Sequence, residues 1–144
     1  MAAQAVSGLA LFADDDDRRR FVQLLTDVGG NGLVCRAYCL MGTHYHLVLD
    51  GSPQALGVGM QRLNWRYARY FNRRHGRSGH VFAERYSAYV VRDEIHLEAT
   101  LRYLQANPVK AGLCAAPDHW PWTWVAAQPV TGTVVPVTAV PAST

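Results

Sequence analysis

His44 and His46 stand two residues apart in the run His44-Tyr-His-Leu-Val-Leu49. On a strand, alternate side chains share a face, so both imidazoles project the same way, close enough to hold one ion. Such a pair also occurs simply as two polar positions on a sheet, and the spacing leaves both readings open. Tyr103 is the second residue of interest. At 100° per residue from Ile95, Leu97, Leu101 and Leu104 fall at about 200°, 240° and 180° around a helix. His96, Tyr103 and Asn107 fall at about 100°, 80° and 120°, a separate stripe. A helical tyrosine is ordinarily half-buried packing. This one keeps company with two polar side chains, so a functional hydroxyl is the competing reading.

Arginine supplies the third feature. From Arg62 to Arg92 there are eight arginines against one acid, Glu84, in a chain whose net charge is only +3. Every basic residue except Lys110 is an arginine, the side chain suited to bidentate phosphate contacts. Arg62, Arg66, Arg69 and Arg73 recur at 4,3,4 and therefore share one helical stripe. Arg74 and Arg77 follow on the same path. Charge alone fits a solvated basic face or a nucleic-acid surface equally well. Trp65 and Trp120 are the aromatic residues on which single-stranded bases could stack.

These residues need a scaffold, and the chain is long enough to provide one. Its 144 residues, 49% of them hydrophobic, suit one domain with a core that needs no disulfides. Cys35, Cys39 and Cys114 form no CxxC pair and leave one odd, so reduced, structural thiols are expected. No apolar run approaches the ~20 residues of a membrane span, and Met1 to Gly8 lacks the basic start and apolar core of a signal peptide. A cytoplasmic, nucleoid-associated protein without membrane contact is the expectation.

Asp14 to Asp17, followed by Phe21, Leu24, Leu25 and Val28, predicts a capped helix stopped at Gly29-Gly30. The acidic run is thus helix-start chemistry and not a metal site. Leu33 to Met41 and His44 to Leu49 read as two strands of a hairpin. A second helix is expected from about Pro53 to Arg74, burying Leu56, Met60, Leu63, Tyr67 and Phe71 opposite the arginines. Residues 75–80 form a Gly-rich basic loop, Tyr86 to Val91 reads as a strand, and Asp93 caps a third helix running to about Ala106, ended by Asn107-Pro108. Residues 120–124 are an aromatic cluster. After Asp118 there is no charge, and residues 126–144 read as a flexible tail to a domain spanning 1–125. Antiparallel hairpin strands with helices packed on one face describe an α+β sandwich.

Several strings resemble one known family. Ala37-Tyr-Cys-Leu-Met-Gly-Thr-His-Tyr-His-Leu-Val-Leu49 is similar to the "MPNHVHLLL" signature of the IS200-like, single-tyrosine transposases. Gly79 to Tyr86 resembles that family's segment before its last strand. Tyr103-Leu-Gln-Ala-Asn-Pro-Val-Lys-Ala-Gly-Leu113 resembles the "YIxLNPVRAGL" run of the REP-associated subgroup, and Pro117 to Trp124 its Pro-and-Trp end. The resemblance covers about residues 8–124, in order. Thr43 stands where the family usually has Asn.

The resemblance implies a ferredoxin-like two-layer sandwich that cuts single-stranded or hairpin DNA. It assigns His44 and His46 to the metal-binding HUH pair, Asn107 to the same site, and Tyr103 to the nucleophile. It also implies Mg²⁺ or Mn²⁺, although histidines alone would suit zinc. Family members act as monomers or as homodimers. They carry a central strand ahead of the Phe12 position. Met1 to Val6 is weak strand material here, so that strand is expected to be weak or missing, with Ala2 to Leu11 available to improvise it. A catalytically inactive DNA-binding remnant is therefore the alternative function.

Overall fold

The computed structural model describes residues 9–30, 32–82 and 86–127, and the backbone of 134–139. The Met1 to Val6 expectation lies outside the described residues. The first helix, α1 (Asp15–Val28), opens as its sequence requires. Asp14 caps it, accepting from the Asp17 backbone N–H at 3.2 Å, and Asp15, Asp16 and Asp17 fill the first turn.

Strands β1 (Leu33–Leu40) and β2 (Tyr45–Gly51) form the expected antiparallel hairpin, in register from Leu40↔Tyr45 to Leu33↔Gly51 with an irregularity between Cys35 and Ala37. Helix α2 (Pro53–His75) starts at a Ser52 cap with proline in its first turn and stops at Gly76. Gly76 is left-handed (φ 62°), a conformation that L side chains resist. The expected apolar face of α2 is the buried one.

The sheet is apolar on both faces. On one, Leu33, Leu40, Tyr45, Leu47 and Leu49 pack with Phe21, Leu24 and Leu25 of α1 and Leu56, Met60, Leu63, Tyr67 and Phe71 of α2. On the other, Ala37, Cys39, Met41 and Val48 pack with Leu97, Leu101 and Leu104 of α3 (Glu94–Lys110). The α+β sandwich is as expected, but its third helix covers the face opposite the other two. Period-2 alternation in β2 sends Tyr45, Leu47 and Leu49 to α1 and α2, and His46 and Val48 to α3.

Three boundaries differ from the sequence reading. Helix α3 runs through Asn107-Pro108 to Lys110. Proline removes its own N–H and crowds the carbonyl four residues back, but the turn beyond it is still closed by Ala111 donating to the Asn107 carbonyl and Leu113 to the Pro108 carbonyl, both at 2.9 Å. The strand expected over Tyr86 to Val91 is confined to β3 (Ser87–Ala88). Part of the aromatic cluster is a strand, β4 (Thr123–Val125), paired with β1 and stacking Trp124 on Tyr38.

The larger correction concerns the segment read as a flexible tail. Residues Val134–Ala139 form β5, which pairs antiparallel with β2 from Asp50↔Val134 to Tyr45↔Ala139. The sheet order is β3-β5-β2-β1-β4. An uncharged Val-rich run can enter a sheet interior at little desolvation cost. Pro136 sits beside β2 but outside the two-residue pairing with β3, where a missing donor is tolerated. The remainder of 128–144 lies outside the described residues. Among the described residues, no helix is long and apolar enough to cross a membrane. The three cysteines are free thiols, and burial pushes Cys35 up to about 12 and Cys39 to about 11.

Candidate active site

His44 lies on the turn between β1 and β2, which closes when Met41 N–H donates to the His44 carbonyl at 2.9 Å. His46 follows inside β2. Their ring centres are 4.8 Å apart, with planes nearly perpendicular, so the spacing does bring both imidazoles to one place. Both are buried. Thr43 Oγ1 lies 3.1 Å from His44 Nδ1 and fixes that ring. The other nitrogen, Nε2, is buried without a hydrogen-bond partner. A second contact on the far nitrogen is how ligand histidines are usually oriented. Burial pushes His44 down to about 4; burial, with His44 beside it, takes His46 to about 3. Both rings are therefore neutral at pH 7, and the unpartnered His44 Nε2 faces the site.

Helix α3 delivers the tyrosine. Asp93 caps its start, accepting from His96 N–H at 2.8 Å, and the leucine stripe clamps it to the sheet. That docking places the Tyr103 ring 6.0 Å from the His46 ring, edge to face. The Tyr103 side chain is 47% exposed, open to a substrate. Asn107 is buried one turn later, its amide nitrogen donating to the Tyr103 carbonyl at 2.9 Å. This leaves the amide oxygen as its ligand-capable end. His96, the third residue of that stripe, does not join the site; it stacks on Tyr89 and accepts from Arg92 N–H. Among the described residues, no group of three His, Cys, Asp or Glu side chains is placed to hold a metal ion.

Lys110, the chain's one lysine, was not singled out by sequence reasoning as a site residue. Its Nζ lies 5.1 Å from the centre of the Tyr103 ring. The signal was present in the spacing: seven residues are two helical turns, so Tyr103 and Lys110 share a face.

The arginines divide. Arg62, Arg66, Arg69 and Arg73 are exposed along α2 and form no salt bridge among the described residues. They sit on the helical layer, across the sheet from His46 and Tyr103. Arg74 does not belong with them. It grips Asp14 and the buried Asp17, each at 2.6 Å, and ties α2 to the start of α1. Arg77 donates to Asn72 Oδ1 at 2.9 Å and to the His80 carbonyl at 3.3 Å, holding the basic loop. Trp120 is also occupied, its indole N–H donating to the Leu40 carbonyl at 3.0 Å with Arg18 over its ring. Trp65 also has a guanidinium over its ring, Arg69 at 4.9 Å from the centre, but is 57% exposed.

No curated protein and no solved structure matches the chain. A family model described as "Transposase IS200 like" matches residues 11–107, a span that holds the histidine pair, the exposed tyrosine and Asn107. The chain belongs to the IS200-like transposase family.

Proposed function

We propose that the protein is a metal-dependent single-stranded DNA endonuclease and strand transferase, of the REP-associated subgroup, acting on hairpin DNA through Tyr103. The observation that carries the reading is the exposed Tyr103 ring held 6.0 Å from His46, beside a buried His44 Nε2 that lacks a partner. The run Tyr103 to Leu113 supports the subgroup.

His44 and His46, with the Asn107 amide oxygen, would hold one Mg²⁺ or Mn²⁺. The donors present fit such an ion: neutral imidazoles in contact, one nitrogen already oriented by Thr43. When bound, the ion draws charge from the scissile phosphate and orients it. Tyr103 Oη attacks phosphorus as the phenol loses its proton. The P–O3′ bond breaks, and the 3′-oxygen takes up a proton and leaves as a hydroxyl. The product is a 5′-phosphotyrosine. It keeps the ester-bond energy, so a second 3′-hydroxyl can reverse the step and join new ends. Lys110, its ammonium 5.1 Å from the centre of the Tyr103 ring, would pair with a phosphate oxygen approaching that tyrosine.

The test is incubation with folded single-stranded oligonucleotides and Mn²⁺, followed by capture of covalent adducts. Unmutated protein should yield an adduct mapping to Tyr103. Tyr103→Phe should lose it and keep hairpin affinity. His44→Ala should lose both cleavage and the rise in Tm that Mn²⁺ gives to the unmutated chain. An adduct on another tyrosine, or cleavage undiminished without metal, would sink the assignment. Hairpin binding with no adduct under any metal would leave the inactive DNA-binding remnant as the correct reading.

A further inference from the structure

His46 sits inside β2, and the ladder holds that strand on both flanks. His44 stands on the turn after β1, so its aim depends on what fixes residues 40–43. Three successive carbonyls of that stretch are gripped from outside it. Leu40 accepts from the Trp120 indole N–H at 3.0 Å, Met41 from Arg18 Nη2 at 3.1 Å, and Gly42 from the Phe12 backbone N–H at 3.1 Å. The donors come from three places: ahead of α1, within α1, and ahead of β4. Arg18 joins them. Its guanidinium carbon lies 5.2 Å from the Trp120 ring centre and 5.8 Å from that of Phe12. Its Nη1 donates to Asp15 Oδ1 at 3.0 Å, and the same oxygen accepts from the Trp122 indole N–H at 2.9 Å.

The ion pair with Asp15 does not explain why an arginine is placed here. The Arg18 side chain is 12% exposed but that of Asp15 is 55% exposed, so water screens the pair and it is worth little. Arg18 Nε is buried with no hydrogen-bond partner among the described residues. An apolar side chain filling the same gap would avoid that cost. It would not supply the donor to Met41. We propose that Arg18 and Trp120 act together as positioning residues for the histidine site: they pin the Met41 and Leu40 carbonyls, and with them the turn that aims His44. The sheet fixes His46, so any shift of the turn changes the separation of the two imidazoles, 4.8 Å between ring centres. A loosened turn must be ordered as the ion enters, which weakens binding. Arg18 and Trp120 touch neither the ion nor DNA in this role. The inference rests on the reading that His44 and His46 hold a cation.

The experiment titrates the full chain with Mn²⁺ in the absence of DNA, following loss of the free-ion electron paramagnetic resonance signal, and measures amide exchange without metal. Arg18→Met keeps an unbranched stem and removes the donors. It should raise the Mn²⁺ Kd by about tenfold to a hundredfold. It should also speed exchange of the Met41 N–H, which closes the turn on the His44 carbonyl, relative to Leu47 in β2. Arg18→Lys keeps the charge and a donor, and should recover part of the affinity. Trp120→Phe keeps a ring beneath Arg18 and loses only the indole donor. It should weaken Mn²⁺ binding in the same direction, and it decides the matter if Arg18→Met does not fold. Val28→Ala, a core truncation at the far end of α1, should lower Tm and leave the Kd unchanged. An unchanged Kd in either donor variant, unchanged Met41 exchange, or an equal rise of Kd in Val28→Ala would overturn the proposal. Failure of the unmutated chain to bind Mn²⁺ would instead refute the histidine site itself, and the proposal with it.

Discussion

Asp17 shows how one side chain can be misjudged from sequence. In the sequence it is the last of four consecutive aspartates and reads as helix-start charge. In the folded chain it is fully buried and receives Arg74 at 2.6 Å, Tyr70 Oη at 2.8 Å, and His75 and the Ala13 backbone N–H at 2.9 Å each. Burial works to raise its pKa, but these partners together hold the carboxyl below the ordinary value, Arg74 foremost. The folded value is depressed, so its stabilisation is present above the unfolded carboxylate range near pH ~3.9 and is lost as pH falls below it. Asp17→Asn should destabilise the fold by about 2–4 kcal/mol at pH 7 by leaving Arg74 short of its buried partner. In urea titrations its stability should also fall less steeply than that of the unmutated chain below pH 4. Equal acid sensitivity in both would remove Asp17 as a stabilising charge. The histidine pair and Tyr103, by contrast, were legible as residues, because period 2 and period 3.6 fix their faces before any packing is known.

The elements were legible where pattern and caps agreed. Helix α1 begins at its aspartate cap and α2 buries the five residues its spacing names. They were not legible where a strand depends on a distant neighbour. Strand β5 carries a proline and no alternation, so its sequence resembles a linker. It becomes a strand because β2 offers it six backbone partners along an apolar sheet. That makes β5 the cover for the outer edge of the histidine-bearing strand. A stop after Ala127 should therefore lower Tm and speed amide exchange along Tyr45–Gly51, the β2 segment that loses its partner. Exchange in β2 unchanged by the truncation would show that β5 does not hold that edge in solution. The length of α3 has a similar lesson. Pro108 reads as a stop, yet the turn beyond it carries Lys110 to the Tyr103 ring.

At the scale of the whole molecule, the sheet is a partition. His44, His46 and Tyr103 gather on the side of α3, while the free arginines and Trp65 line the far surface of the other helical layer. Sites on opposite sides of a rigid sheet, with no shared partners, should perturb independently. Arg66→Ala with Arg69→Ala should accordingly leave the Mn²⁺-induced rise in Tm as it is in the unmutated protein, even as DNA affinity falls. A loss of that rise would mean that the two surfaces communicate through the sheet.

The sequence by itself determined which residue types are available and which face of its own element each one takes. That was enough for the His44–His46 pair, for the stripe of four arginines, and for family membership over residues 11–107. Local periodicity and capping depend only on neighbours within a few residues, so one dimension suffices to read them. Tertiary structure alone decided which faces meet. It set Tyr103 against His46 and turned Arg74, expected on the path beside the stripe, to neutralise a buried aspartate. It also placed that stripe across the sheet from the chemistry and drew residues 134–139 into the sheet beside β2. Each of these is a contact between segments far apart in the chain, and each is set by which apolar faces and unpaired strand edges remain to be covered once the local elements have formed.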